Sequence, residues 1–303
     1  MIAVLGEALV DLLPADRPGT WRARAGGSPA NVALGLGRLG VAARFFGGIS
    51  RDAWGGWIRD RLRLAGVEAA GPFSEAPTPL ARVEAEAAGE ARYRFYLHGT
   101  AFEAAGWPDL PENVAAVHTG SLAAALQPVA AEIWAQIERH PDVFVSFDPN
   151  VRPGLTPPSF REVFWERLDR FDLLKLSDVD LDWLAAGMES AGALARLRER
   201  VPWLVLTLGA GGAVGFLGEY EVYQPPPAVR VKDTVGAGDA FGAGLLAWAD
   251  RAGVFAGETL DRAGLAAAMA FACRVAGLTI ERAGADLPTR AELETRGGEV
   301  CET

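Results

Sequence analysis

The segment Asp233-Thr-Val-Gly-Ala-Gly-Asp239 sets two carboxylates on either side of a glycine turn that feeds an apolar, helix-forming run. Helix N-termini expose unpaired N–H groups and a partial positive charge, and small residues let an anion approach them closely. A carboxylate fixed beside such an anion is a candidate base. Two readings stand at this point. Gly236, Ala237 and Gly238 cradle a phosphoryl group while Asp239 takes the proton of an attacking hydroxyl, or Asp239 merely caps a helix behind a flexible turn.

Four other segments carry polar residues with similar potential, each with a plainer alternative. Asp11 follows the first strand and, taken alone, reads more readily as a turn residue. Gly26-Gly27-Ser28-Pro29-Ala30-Asn31 brings two glycines and an amide to a helix start, which suits contact with a polyhydroxyl ligand or simple capping. Asp148-Pro-Asn-Val-Arg152 combines an acid, an amide and a guanidinium, a set that organises a metal-bound phosphate or an anionic substrate, or closes on itself as a salt-bridged loop. Thr207-Leu-Gly-Ala-Gly-Gly-Ala213 lets backbone approach something flat or anionic, as ordinary glycine turns also do.

Composition narrows the partners. The formal charge is -10 and the pI about 4.9, which argues against nucleic acid or an anionic membrane. Lys175 and Lys232 are the only lysines, and neither sits in a G-x-x-x-x-G-K-[ST] loop, so anion binding is expected to rest on backbone amides and arginine. Cys273 and Cys301 lack metal-ligand spacing and fit a reducing cytoplasm. His98, His118 and His140 show no metal or triad spacing and are expected on the surface or satisfied in the core. No run of about 18 uninterrupted apolar residues suggests a membrane span.

The elements that must position these groups follow from periodicity. Ile2 to Gly6, Val143 to Phe147, Leu173 to Leu176 and Leu204 to Leu208 read as buried strands. Pro128 to Arg139, Phe160 to Leu168 and Leu181 to Ala186 read as helices between them, the alternation of a mainly parallel α/β sheet. Ser28 to Gly40 reads as a helix with Ser28 at the N-cap, and a second runs from Asp52 to about Ala65. Gly35-x-Gly37-x-x-Gly40 falls inside the first of these, not after a strand, so it is no dinucleotide fingerprint. Ala81 to Ala85 and Arg92 to Tyr96 flank Ala88-Gly89-Glu90 as an antiparallel hairpin which, with Trp21 to Ala25, forms a flap over a cleft, an edge extension or a dimer contact.

Ala25-Gly-Gly-Ser-Pro-Ala-Asn31 and Asp233-Thr-Val-Gly-Ala-Gly-Asp239, in that order, resemble the paired signatures of the ribokinase-like (PfkB) sugar kinases. The resemblance extends over almost the whole chain. Phe95-Tyr-Leu-His-Gly-Thr-Ala101, His118-Thr-Gly-Ser-Leu122 and Lys175-Leu-Ser-Asp178 look most like bacterial fructokinases. It implies a single domain, residues 1–303, with a three-layer sandwich, a mainly parallel central sheet and a small β lid from segments at about 12–25 and 78–101. It also implies ATP-dependent phosphorylation of a primary sugar hydroxyl, with Mg2+, and a homodimer through the lid.

Carried onto this chain, Asp239 is the base and residues 236–238 are the anion hole. Asp11, Gly26, Gly27 and Asn31 hold the sugar, with Phe95 closing over it and Arg152 beside it. Thr207, Gly209 and Gly212 line the nucleotide. Asp233 and the Val235 carbonyl hold a monovalent cation such as K+, with the loop near Arg282 to Gly284 completing the site. Many relatives carry Asn-x-x-Glu where this chain reads Ser177-Asp-Val-Asp180, so Asp180 keeps a carboxylate for Mg2+ on a shorter arm and Ser177 a hydroxyl for phosphate.

Fructose ranks first among acceptors and 2-keto-3-deoxygluconate second, its carboxylate calling for Arg82, Arg94 or Arg152. Ribose follows. A catalytically silent sugar-binding relative is disfavoured, because a pure binder needs no acid beside an anion hole. Asp239→Asn is expected to lower turnover by at least ~10²-fold while nucleotide affinity stays near normal, since a general base contributes about that much. Steady-state kinetics with near-normal turnover would remove the assignment.

Overall fold

The computed structural model describes residues 1–15, 17, 19–85 and 91–297. The expected turn at Ala88-Gly89-Glu90 and the tail that includes Cys301 lie outside the described residues. Thirteen strands are described: β1 Ile2–Leu5, β2 Leu9–Pro14, β3 Trp21–Gly26, β4 Ala43–Ser50, β5 Glu68–Ser74, β6 Leu80–Ala85, β7 Ala91–Tyr96, β8 Ala116–Gly120, β9 Phe144–Asp148, β10 Leu173–Ser177, β11 Trp203–Thr207, β12 Ala213–Leu217 and β13 Tyr220–Gln224. The α-helices are α1 Ser28–Arg38, α2 Ala53–Leu64, α3 Ser121–Ala125, α4 Val129–Arg139, α5 Ser159–Glu166, α6 Asp178–Ala185, α7 Ser190–Arg200, α8 Ala237–Arg251, α9 Arg262–Ile280 and α10 Arg290–Gly297.

Nine strands form one sheet in the order β13-β12-β11-β10-β9-β8-β1-β4-β5. It is parallel except for the hairpin pairings of β12 with β11 and β13. Strand alternation sends successive side chains to opposite faces. Ile2, Val4, Leu173, Trp203 and Val205 join the core under α1, α8 and α9. Ala3, Leu5, Leu174, Leu176, Leu204 and Leu206 join the core under α4 to α7. The result is a three-layer α/β/α sandwich. On the second face Phe147 stacks on Phe171 at 4.4 Å between ring centres and also meets Trp134, Phe160 and Phe164. This cluster fixes the inward face of β9, so its neighbour Asp148 must project to the α8 side.

The remaining strands form a second, four-stranded sheet in the order β3-β2-β6-β7. Here the expectation needs correcting: Asp11 does not sit in a turn after β1 but inside β2, paired with Arg24 on one side and Ala81 on the other. Ala81 in turn pairs with Phe95, so Arg24, Asp11, Ala81 and Phe95 form one row on one face of this small sheet.

Local signals explain most helix ends. Asp52 caps α2 by accepting from the Gly55 N–H at 2.8 Å, and Gly66, with φ +80°, follows its end. The cap of α1 is not Ser28, as the pattern suggested, but Gly27, whose φ of +98° places Ser28 in the first helical turn. Helix α9 is long and apolar enough to cross a membrane, with a mean hydropathy of 1.7, yet it packs against α8, β12 and β13 inside the molecule.

Helices α8 and α9 touch through small residues: a Cβ added at Gly244 would lie 2.7 Å from the Ala272 Cα, whereas one at Gly242 meets nothing within 4 Å. Gly244→Val is therefore expected to lower the melting temperature by several degrees, at a cost of about 1–3 kcal/mol for overpacking. Gly242→Ala is expected to raise it slightly through helix propensity, worth up to ~1 kcal/mol. Calorimetry showing the opposite order would contradict this packing.

Candidate active site

The C-terminal ends of β8 to β11 and the N-termini of α1 and α8 converge on one edge of the large sheet, where open α/β folds bind ligands. Helix α8 begins after Gly236, which has φ +78° and approaches Ala285 so closely that a Cβ would lie 2.9 Å from the Ala285 Cα. Asp239 occupies the third position of the helix. Its carboxylate accepts from the Ser28 hydroxyl at 2.7 Å and from the Asn31 amide at 2.8 Å. Both donors belong to the first turn of α1, so two helix starts meet over a single carboxylate. The helix-capping alternative for Asp239 is not realised, since no side chain caps α8.

On the small-sheet side Asp11 lies close to this pair. Burial pushes its carboxyl up to about 7, Arg152 pulls it down and Asp239 raises it further. Gly26 and Gly27 flank it: a Cβ at Gly27, where φ is +98°, would strike the Glu7 backbone carbonyl at 2.4 Å, so the fold requires glycine there, while one at Gly26 would meet the end of the Asp11 side chain at 2.1 Å. Phe95 stacks with Tyr93, ring centres 6.0 Å apart, on the Asp11 face of the sheet. Arg152 donates to the Asn150 side-chain oxygen at 2.6 Å and to two neighbouring carbonyls, so its loop is closed internally.

On the other side of Asp239 a cavity of 570 Å³ opens between β10, β11 and the starts of α6 and α8. Ser177, Asp180, Thr207, Gly209, Gly212, Ala237 and Gly238 all line it, together with Cys273 and Ile280 of α9. Ser177 and Thr207 are register partners on adjacent strands. The Thr207 hydroxyl donates to the Leu176 carbonyl at 3.3 Å. Asp180 is committed elsewhere. Its carboxylate accepts from the Ser177 N–H and hydroxyl and from the Val151 N–H at 2.7 Å, a capping box that ties α6 to the Asp148–Arg152 loop.

Asp233 ties the turn before α8 to a distant loop, accepting from Val235 N–H at 3.0 Å and Gly284 N–H at 2.7 Å. A carboxylate has about four lone-pair positions, so two remain for a cation beside the Val235 carbonyl. Among the described residues no cluster of three or more His, Cys, Asp or Glu side chains makes a metal cage. A divalent ion that arrives on nucleotide phosphates and keeps its waters suits such a site better than an all-protein cage.

Two groups escaped sequence reasoning. Lys175, on β10, lines the cavity and donates from its ammonium to Asp148 at 2.8 Å, both side chains being buried. Its signal was present: a lysine flanked by leucines in a strand is buried and therefore has a partner. The expectation that arginine would supply the positive charge fails on this side, because none of the residues lining the cavity is an arginine. Glu7, also buried, accepts from the Ala123 N–H at 3.1 Å, and burial raises its pKa. His118 lies in the core against the Ser146 hydroxyl at 3.0 Å, and His98 is exposed beside Glu103, as their isolation in the sequence suggested.

This architecture has close relatives. The model of the pfkB family carbohydrate kinases matches residues 1–292. A fructokinase of Rhizobium leguminosarum bv. trifolii is 36% identical over 258 residues, spanning 82% of this chain and 79% of its own. The crystal structure of a Xylella fastidiosa fructokinase with bound ATP superposes with a TM-score of 0.85 at 29% identity, covering 99% of both chains. That of a Vibrio cholerae O395 fructokinase double mutant, bound to fructose, ADP and a potassium ion, gives 0.83 at 27% identity and 97% coverage of both. Paired glycine signatures, a three-layer sandwich and a family match over nearly its full length lead to one conclusion: this chain belongs to the pfkB family of carbohydrate kinases.

Proposed function

We propose that this protein is an ATP-dependent fructokinase that phosphorylates the primary 6-hydroxyl of D-fructose. The observation that carries the proposal is the placement of Asp239, held by Ser28 and Asn31 between the small-sheet pocket and the cavity at the α8 start. The Rhizobium and Vibrio relatives supply the choice of fructose.

In this reading the sugar lies between Asp11, Gly26, Gly27, Asn31 and Arg152, under Phe95. ATP occupies the cavity, with Thr207, Gly209 and Gly212 along it and Ser177 near its phosphates. Asn31 exchanges its bond to Asp239 for one to the sugar, which leaves the Asp239 carboxylate free to accept the hydroxyl proton. The N–H groups of Gly236, Ala237 and Gly238 receive the transferring phosphoryl group, since phosphoryl transfer is governed by positioning and charge stabilisation. Asp180, although tied into its capping box, would orient the water shell of a nucleotide-bound Mg2+, an ion that would offset phosphate charge. Asp233 and the Val235 carbonyl would hold K+.

The chain works as one catalytic unit, with its small sheet as a lid that excludes water and so limits idle ATP hydrolysis. Trp21 and Tyr96, 42% and 45% exposed, stand on the face of the lid opposite Asp11 and suit a homodimer contact. Buried Cys273 carries a free thiol, in keeping with a cytoplasmic enzyme.

Arg152 beside Asp11 gives a second reading, 2-keto-3-deoxygluconate kinase, some foundation. Coupled ADP-release assays with fructose, 2-keto-3-deoxygluconate, ribose and adenosine are expected to give the highest kcat/KM for fructose. A higher value for any of the others would replace the assignment, and light scattering that finds only monomer would remove the dimer.

The Asp11 carboxyl titrates at about 7 in the fold and at about 4 when unfolded, so between these values the native protein binds the extra proton. Stability then falls as pH rises through that window. In ligand-free protein Asp11→Asn is expected to gain melting temperature relative to the parent at pH 8 more than at pH 5. The difference should be about 2 °C or more, the effect of ~1 kcal/mol at this size, and the variant's KM for fructose should rise. Equal gains at both pH values would contradict the burial of this carboxylate.

A further inference from the structure

The edge that receives the nucleotide is crowded with acids. Asp148, Asp178, Asp180 and Asp239 lie in or beside the cavity of a chain whose net charge is already -10. A triphosphate brings several more negative charges to this place. Among the described residues that line the cavity, Lys175 is the one basic side chain.

Its position is specific. Lys175 shares with Leu173 the face of β10 that looks toward α8, and a Cβ added at Gly238 would lie 3.0 Å from its Nζ. The ammonium group therefore rests against the first turn of α8, where the free N–H groups point. An ammonium has three N–H donors, and among the described residues Asp148 is the one hydrogen-bond acceptor that Lys175 meets. Burial lowers its pKa, but Asp148, Asp180 and Asp239 more than reverse this, so the group remains charged. Among the described residues the other oxygen of Asp148 is buried with no hydrogen-bond partner, so the pair is not closed as a purely structural ion pair would be.

We propose that Lys175 is a catalytic residue whose ammonium, held by Asp148 against the start of α8, donates to non-bridging oxygens of the phosphoryl group in transfer. The inference rests on the phosphoryl-transfer reading of Asp239. In the step, the sugar hydroxyl oxygen bonds to the γ-phosphorus while the bond from that phosphorus to the β,γ-bridging oxygen breaks. The electron pair leaves with ADP, and the hydroxyl proton passes to the Asp239 carboxylate. Lys175 keeps its three protons throughout and contributes charge and donors alone. It does by tertiary contact what a P-loop lysine does by local sequence.

The chain's two lysines make a direct test possible. In 15N spectra of the lysine ammonium groups of the unaltered protein, the Lys175 signal is expected to shift with fructose, MgADP and aluminium fluoride, but not with fructose and adenosine. In the double variant Asp148→Asn/Lys175→Gln, which keeps the pair neutral, kcat is expected to fall by ~10²-fold or more. Its KM for fructose should stay within about threefold of the parent's.

A Lys175 signal unmoved by the phosphoryl mimic, or a double variant with near-normal kcat, would overturn the proposal. Should the double variant fail to fold, the spectra of the unaltered protein decide. Failure of the underlying reading is distinguishable: Asp239→Asn would then retain turnover whatever Lys175 does.

Discussion

Two helices that start more than two hundred residues apart point their N-termini at one carboxylate, and the rest of the site is arranged around that meeting. Asp239 draws two hydrogen-bond donors, Ser28 and Asn31, from the first turn of α1. The positive ends of α1 and α8 would repel one another at close range without a negative group between them. The carboxylate thus holds the helices together. This contact divides the edge into a side under the small sheet and a side under β10 and β11.

A second layer of contacts makes the division rigid. Asp180 joins the start of α6 to the Val151 backbone, Asp233 joins the turn before α8 to Gly284, and Glu7 joins the end of β1 to α3. Each is a carboxylate that accepts backbone N–H groups at a loop. Such bonds are worth roughly 1.5–3 kcal/mol when charged, and more is lost if a buried acceptor is left unpaired. The acid-rich composition therefore has a structural use as well as a chemical one. It also leaves the cavity edge short of positive charge, which is the setting in which the buried Lys175–Asp148 pair acquires meaning.

Strand and helix periodicity made the layers legible, and Asp52 with Gly66 made the ends of α2 legible, because these signals are local. The small sheet was legible as a hairpin plus a third segment, but not the incorporation of β2, and so Asp11 taken alone looked like a turn residue and only the family resemblance gave it to the sugar. Ser28 was read as a cap because serine before proline at a helix start usually is one; its hydroxyl is taken instead by a residue 211 positions away. Gly27 was read for ligand contact, while its φ of +98° and its approach to the Glu7 carbonyl give the fold its own need for glycine there. Lys175 was set aside because it lay outside a phosphate-binding loop.

By itself, the sequence determined the layered α/β architecture, the family signatures and the identity of the acid at the start of α8, all of which depend on spacing within about a dozen residues. Only the tertiary structure decided which groups meet: Asp239 with α1, Lys175 with Asp148 and the α8 turn, Asp180 with the Val151 backbone. The reason is physical. A helix or strand is specified by short-range periodicity and capping, whereas the partner of a buried charge is set by how distant elements pack, through side-chain directions that no local pattern encodes.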